Sequence, residues 1–113
     1  MNVSFSGFNE KSITFEANDS VKIGAPVKVS ANGTVSACGQ GDVFCGVATD
    51  VRGGYATVQT SGYVKIKYSA DAPTLGYTTL VAGSDGSVSV DESGRTYLVT
   101  YVDTTESTVG FML

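Results

Sequence analysis

The sequence predicts an all-β fold, a small β-barrel of short antiparallel strands with little or no helix. Three observations predict it. Apolar and polar residues alternate with period two in run after run. Dipeptides that accept the backbone angles of tight hairpin turns separate those runs. No stretch carries a sustained 3.6-residue apolar stripe with a cap.

The strands can be taken in order. Ile13, Phe15 and Ala17 alternate with Ser12, Thr14 and Glu16. Val27 and Val29 alternate with Lys28 and Ser30. Val64, Ile66 and Tyr68 alternate with Lys65 and Lys67, the clearest alternation in the chain. Val88 and Val90 alternate with Ser87 and Ser89. The run from Tyr97 to Val102 is apolar on both faces, which predicts a central strand covered from both sides. Phe15, Phe44, Tyr68 and Val99 are the candidate core.

Asn32-Gly33 and Asp85-Gly86 mark hairpin turns, and Gly53-Gly54 and Ser93-Gly94 mark further corners. Pro26 opens a strand and Pro73 lies in a loop, where a missing N–H does no harm. The best place for a short helix is Ser69 to Thr74. Gly33, Val35, Ser36, Gly41, Phe44 and Asp50 are echoed 53 residues later by Gly86, Val88, Ser89, Gly94, Tyr97 and Asp103. The echo reads as hairpins sharing one turn chemistry, with a duplicated β unit as the alternative.

At 113 residues the chain fits one domain. The boundaries expected are a flexible N-terminal arm over 1–11 and a single β-barrel domain over 12–113. Charged residues make up 16% of the chain, below the ~25% usual for globular proteins. Ser, Thr, Asn and Gly therefore supply most of the polar surface, and such side chains lose little rotamer entropy at an interface.

Composition also excludes function classes. The net charge is −4 with no basic run, so nucleic-acid binding through phosphates is not expected, nor is polybasic membrane attachment. No apolar stretch approaches the 18 residues of a membrane span. The N-terminus lacks the pattern of a signal peptide, and the chain reads as a cytosolic product, where thiols stay reduced.

Histidine is absent, which removes the commonest general base and metal ligand. Asp91 and Glu92 are the only adjacent carboxylates, and they read as solvated turn residues. Cys38 and Cys45 read as two small buried hydrophobes beside a turn; a disulfide requires that they face each other, and two Cys without His make no ordinary zinc site. Gly39-Gln40-Gly41 leads into a strand and not into a helix N-terminus, so it is no phosphate loop. No catalytic, cofactor or metal residue is assigned, and the chain is not expected to be an enzyme.

Aromatic residues suggest a binding role instead. Phe5 and Phe8 sit in the polar segment Asn2-Val3-Ser4-Phe5-Ser6-Gly7-Phe8, ahead of the first clear strand. Aromatics in a polar arm are candidate anchors for a partner surface. The alternative is that they fold back onto the barrel.

Four runs together carry a family resemblance. They are Ile23-Gly24-Ala25-Pro26-Val27-Lys28-Val29, Asn32-Gly33-Thr34-Val35, Gly41-Asp42-Val43-Phe44-Cys45-Gly46-Val47-Ala48, and Ala56 through Val64. Over residues 20–113 the chain resembles the capsid decoration, or head-stabilising, proteins of tailed phages, in their lambda-like β-tulip group. The resemblance implies a homotrimer on the outside of the expanded capsid, made in the bacterial cytoplasm. Its partner would be the major capsid protein, and it would bridge capsomers. It also implies an N-terminal arm on the capsid, which falls on Asn2, Val3, Ser4, Phe5, Ser6 and Phe8. Two alternatives remain. One is another virion β module, such as a head fibre base or tail component. The other is a carbohydrate- or ligand-binding β domain with Tyr55, Tyr63 and Tyr77 as a stacking platform.

Overall fold

The computed structural model describes residues 11–113, and the fold is all-β. Ten strands follow in order: β1 (Lys11–Ala17), β2 (Pro26–Ala31), β3 (Thr34–Ala37), β4 (Gly46–Arg52), β5 (Tyr55–Ser61), β6 (Tyr63–Lys67), β7 (Gly76–Ala82), β8 (Val88–Val90), β9 (Arg95–Asp103) and β10 (Thr108–Met112). The one helical element among the described residues is a 3-10 turn, Ser84–Gly86. It occupies the expected Asp85-Gly86 hairpin corner, where Asp85 and Gly86 both take positive φ. The segment from Ser69 to Thr74 forms no helix.

The strands fall into two sheets. Strands β1 to β5 form a closed barrel, and β6 to β10 form a second five-stranded sheet. The first strand begins at Lys11, the last residue of the expected arm. Read from β1, the barrel runs β1-β5-β4-β2-β3 and closes on itself; the second sheet runs β6-β10-β9-β7-β8. The second unit therefore repeats the first, strand for strand.

Register repeats as well as order. Val27, Lys28 and Val29 pair with Ala37, Ser36 and Val35. Leu80, Val81 and Ala82 pair with Val90, Ser89 and Val88, each residue 53 further on. Ile13 opposite Val58 becomes Val64 opposite Phe111. The β4–β5 ladder is irregular between Ala48 and Asp50, and the β9–β10 ladder is irregular at the same place, between Phe111 and Gly110. The barrel closes through the parallel pairing of Ala17 with Val35. Its counterpart is a single parallel bridge, Tyr68 to Val88. The β7–β9 ladder is the exception, slid by two residues relative to β2–β4. A slide of two keeps every side chain on its own face. The echo in the sequence is thus larger than two hairpins with like turns: it is a repeated five-strand unit.

Each unit has its own core. Val21, Val27, Val35, Ala48, Ala56 and Val58 fill the barrel. Leu80, Val88, Tyr97, Val99, Val109 and Phe111 lead the second cluster. Phe44 and Val47 belong to the first unit in sequence, yet both are buried in the core of the second. Of the expected core residues, Phe44 and Val99 are fully buried, while Phe15 and Tyr68 are half-buried against the clusters.

The loop between β3 and β4 makes the junction. Gly41 N–H donates to Ala82 O at 2.8 Å, and Ala82 N–H donates to Asp42 O at 2.8 Å. The loop thereby pairs with β7 at Ala82 and presents Phe44 to Tyr97 and Phe111.

Candidate interaction surface

The arm residues assigned from the sequence, Asn2, Val3, Ser4, Phe5, Ser6 and Phe8, lie outside the described residues. Among the described residues, three features hold side chains that bear on function: the β3–β4 loop, the cleft beside β6, and the outer face of the second sheet.

The loop is held by an ion pair. Lys28 Nζ donates to Asp42 Oδ2 at 2.7 Å, and Gly39 N–H donates to the same oxygen at 2.8 Å. The Lys28 ammonium and the Gly39 N–H hold the Asp42 carboxyl below its ordinary value, and Asp42 in turn raises Lys28. Cys38 and Cys45 flank this loop as free, half-buried thiols. Cys38 packs against the second core and Cys45 against the first. Burial pushes the Cys38 thiol up to about 11 and raises Cys45 too. A thiol with a raised pKa is a poor nucleophile and a poor metal ligand near neutral pH. Asp91 is an exposed turn carboxylate whose Oδ1 accepts from Ser93 N–H and Oγ, both at 2.8 Å. Among the described residues no three Cys, Asp or Glu side chains come together to hold a metal ion.

A cleft of about 560 Å³ lies where β6 and β8 meet only at the Tyr68 bridge. Lys65, Lys67, Ser69, Ser84 and Gly86 are among its lining residues. It is the seam that the first unit closes with an additional pairing, Glu16 to Thr34.

The outer face of the second sheet carries two of the three expected stacking tyrosines, Tyr63 and Tyr77, and sets Met112 and Leu98 between them. Ladder partners set four side chains in one row across it. Tyr63 opposes Met112, Met112 opposes Leu98, and Leu98 opposes Tyr77. Tyr77 is 79% exposed, and Leu98 is 36% exposed. Leu75 is also exposed, just before β7. In the next row Lys65 opposes Gly110 and Gly110 opposes Tyr101. The Lys65 ammonium lies 4.5 Å from the centre of the Tyr101 ring, a cation–π distance.

The corresponding row of the first unit is Ser12, Gln59, Val47 and Pro26. Its middle is covered. Val47 sits in the core cluster of the second unit, and Gln59 is buried with its Nε2 donating to Ser61 O at 3.1 Å and Tyr63 O at 3.0 Å. One row of the repeat therefore lies between the two units, while in the other Leu98 and Tyr77 are exposed and Tyr63 and Met112 are half-buried.

This corrects one expectation. The run from Tyr97 to Val102 does form the central strand of its sheet. Tyr97 and Val99 face the core, but Leu98 and Tyr101, on the opposite face, are exposed. The two-faced apolar pattern is the signal for this surface: one apolar face lines the core and the other is exposed. Tyr63 and Tyr77 of the expected stacking platform share the row, about 14 Å apart by strand spacing. Tyr55 belongs to the other unit, opposite Glu16 and Arg52.

No family model, curated protein or solved structure matches this chain.

Proposed function

We propose that this chain is a structural virion protein that binds the outside of an expanded phage capsid and stabilises the lattice by bridging capsomers. Exposed Leu98 and Tyr77 on the outer face of the second sheet, in one row with half-buried Tyr63 and Met112, carry this reading beyond the resemblance. Contiguous exposed apolar side chains on a rigid sheet mark a surface to be covered in an assembly. Tyr and Met are also enriched at such interfaces.

In this reading the repeated sheets are a stiff spacer and the chemistry is surface complementarity. The major capsid protein is the partner, engaged through Asn2, Val3, Ser4, Phe5, Ser6 and Phe8, and the protein acts as a homotrimer. Such a role needs no cofactor, nucleic acid or membrane.

Microscopy of the virion with the protein labelled tests the assignment. The expected result is label repeated over the shell lattice. Label confined to the tail or to a fibre base would replace this reading with the other virion roles. A particle without label would leave glycan or ligand binding by the Tyr63–Tyr77 face.

A further inference from the structure

The row that holds exposed Leu98 and Tyr77 has a counterpart in the first unit, and the middle of that counterpart is buried. In the first unit the row is covered by a barrel-like sheet of the same topology. Val47 lines the same cleft as Val64 and shares its core cluster, and Val64 is only 5% exposed. The residue equivalent to Val64 is Ile13, which faces Val58 as Val64 faces Phe111. Ile13 is 50% exposed. The residue equivalent to Val47 is Leu98, which faces Met112 as Val47 faces Gln59. Each half of the internal contact therefore has an unpaired twin. Among the described residues Leu98 has no equivalent of Val64 against it, and Ile13 has no equivalent of Val47.

We propose that copies of this chain associate head to tail, the Leu98 row of the second sheet seating on the Ile13 end of the next copy's first barrel. The contact extends an interface that the chain already makes within itself. It is heterologous, so it builds a ring where the rotation closes and a filament where it does not.

Charge favours this pairing over two second sheets meeting face to face. Residues 63–113 hold three Lys or Arg against six Asp or Glu, and residues 11–62 hold four of each. A symmetric contact between second units would bring two net negative surfaces together. The head-to-tail contact sets a negative unit against a neutral one. Tyr77 supplies a large rigid contact area that loses little side-chain entropy, as interface anchors do. The inference does not rest on the capsid reading, since association requires no capsid.

Light scattering coupled to size exclusion, on the full chain over a concentration series, tests it. The wild-type mass is expected to rise with concentration. Leu98→Glu and Ile13→Glu each spoil one face and are expected to stay monomeric. Their equimolar mixture is expected to form a dimer and nothing larger, because each variant keeps the face the other lost. Both positions are at least one-third exposed, and circular dichroism checks that both variants fold. Tyr77→Ser, at a position 79% exposed, is a milder variant expected to weaken association. A wild-type chain that is monomeric throughout would overturn the inference. So would a mixture that stays monomeric. Undiminished association of Ile13→Glu would overturn it too, by showing that another surface covers or replaces that end. A wild-type chain that is monomeric throughout would also remove the homotrimer from the proposed function, whereas capsid binding itself is read only by the separate capsid experiment.

Discussion

Phe44 and Tyr97 stack nearly parallel, their ring centres 5.3 Å apart and their planes 6° from parallel. One ring comes from the loop that leaves the first barrel, and the other from the central strand of the second sheet. Phe111 closes the cluster, 5.1 Å from Tyr97 and 6.2 Å from Phe44. The three rings join the two repeats into one packed body, with Phe44 only 1% exposed.

Removing that ring should uncouple the units. Phe44→Ala is expected to cost about 3–5 kcal/mol, the usual range for a buried Phe. The second unit should then unfold before the first. With no Trp in the chain, tyrosine fluorescence and far-UV circular dichroism in denaturant read this out. Coincident transitions are expected for the wild type and separated ones for the variant.

Gly46 marks a second tight junction. A Cβ there would meet the Gln59 carbonyl oxygen and lie 2.7 Å from Val58 Cγ1. Backbone cannot yield as a flexible side chain does, so Gly46→Ala is expected to cost about 1–3 kcal/mol or more. A denaturation midpoint equal to the wild type's would show that β4 and β5 can separate freely.

Acid should weaken the fold through paired carboxylates. Asp42 is held below its ordinary 3.8 by Lys28 and Gly39, and Asp91 by Ser93. Asp103 is held down by the Glu106 and Thr105 N–H groups. A depressed folded pKa means that the unfolded chain takes up protons first as the pH falls. The stabilisation is therefore present above 3.8 and lost as the pH falls through the lower folded values. Melting midpoints should drop across that window, and less steeply for Asp42→Asn. An unchanged slope in Asp42→Asn would remove the Lys28–Asp42 pair from this account.

The thiols should behave as buried, free groups. The unfolded chain ionises Cys38 near 9.0, whereas the folded chain holds its proton to about 11. Stability should therefore decline as the pH rises between those values. Alkylation should be slow near neutral pH in the native protein and fast in denaturant. Reductant should leave the melting midpoint in place; a fall of several degrees would reveal a disulfide.

Much of the fold was legible because period-two alternation and turn dipeptides act locally. Ile13-Phe15, Val64-Ile66 and Asn32-Gly33 need no knowledge of the rest of the chain to be read. The division into two sheets was not legible, because it rests on pairings distant in sequence, such as Ile13 with Val58 and Val64 with Phe111. The echo hinted at it, but strand-by-strand offsets of 53 (Val35 to Val88) and 51 (Ile13 to Val64) blur a fixed-period comparison. The bare face was in view as the apolar run from Tyr97 to Val102. Whether such a run is covered on one side or two depends on what packs against it, and sequence alternation cannot say.

Deleting residues 2–8 should leave the strands folded and remove partner binding, since β1 begins at Lys11. Retained cooperative melting checks the first half of that expectation. Loss of cooperative melting would instead place the segment in the core.

The most direct measurement of the proposed role is co-sedimentation of the purified chain with expanded, undecorated capsids of the phage whose genome is found to carry its gene. The account requires the full chain to pellet with the capsids at a saturating ratio and the 2–8 deletion to stay in the supernatant. A full-length chain that stays in the supernatant with those capsids would contradict it.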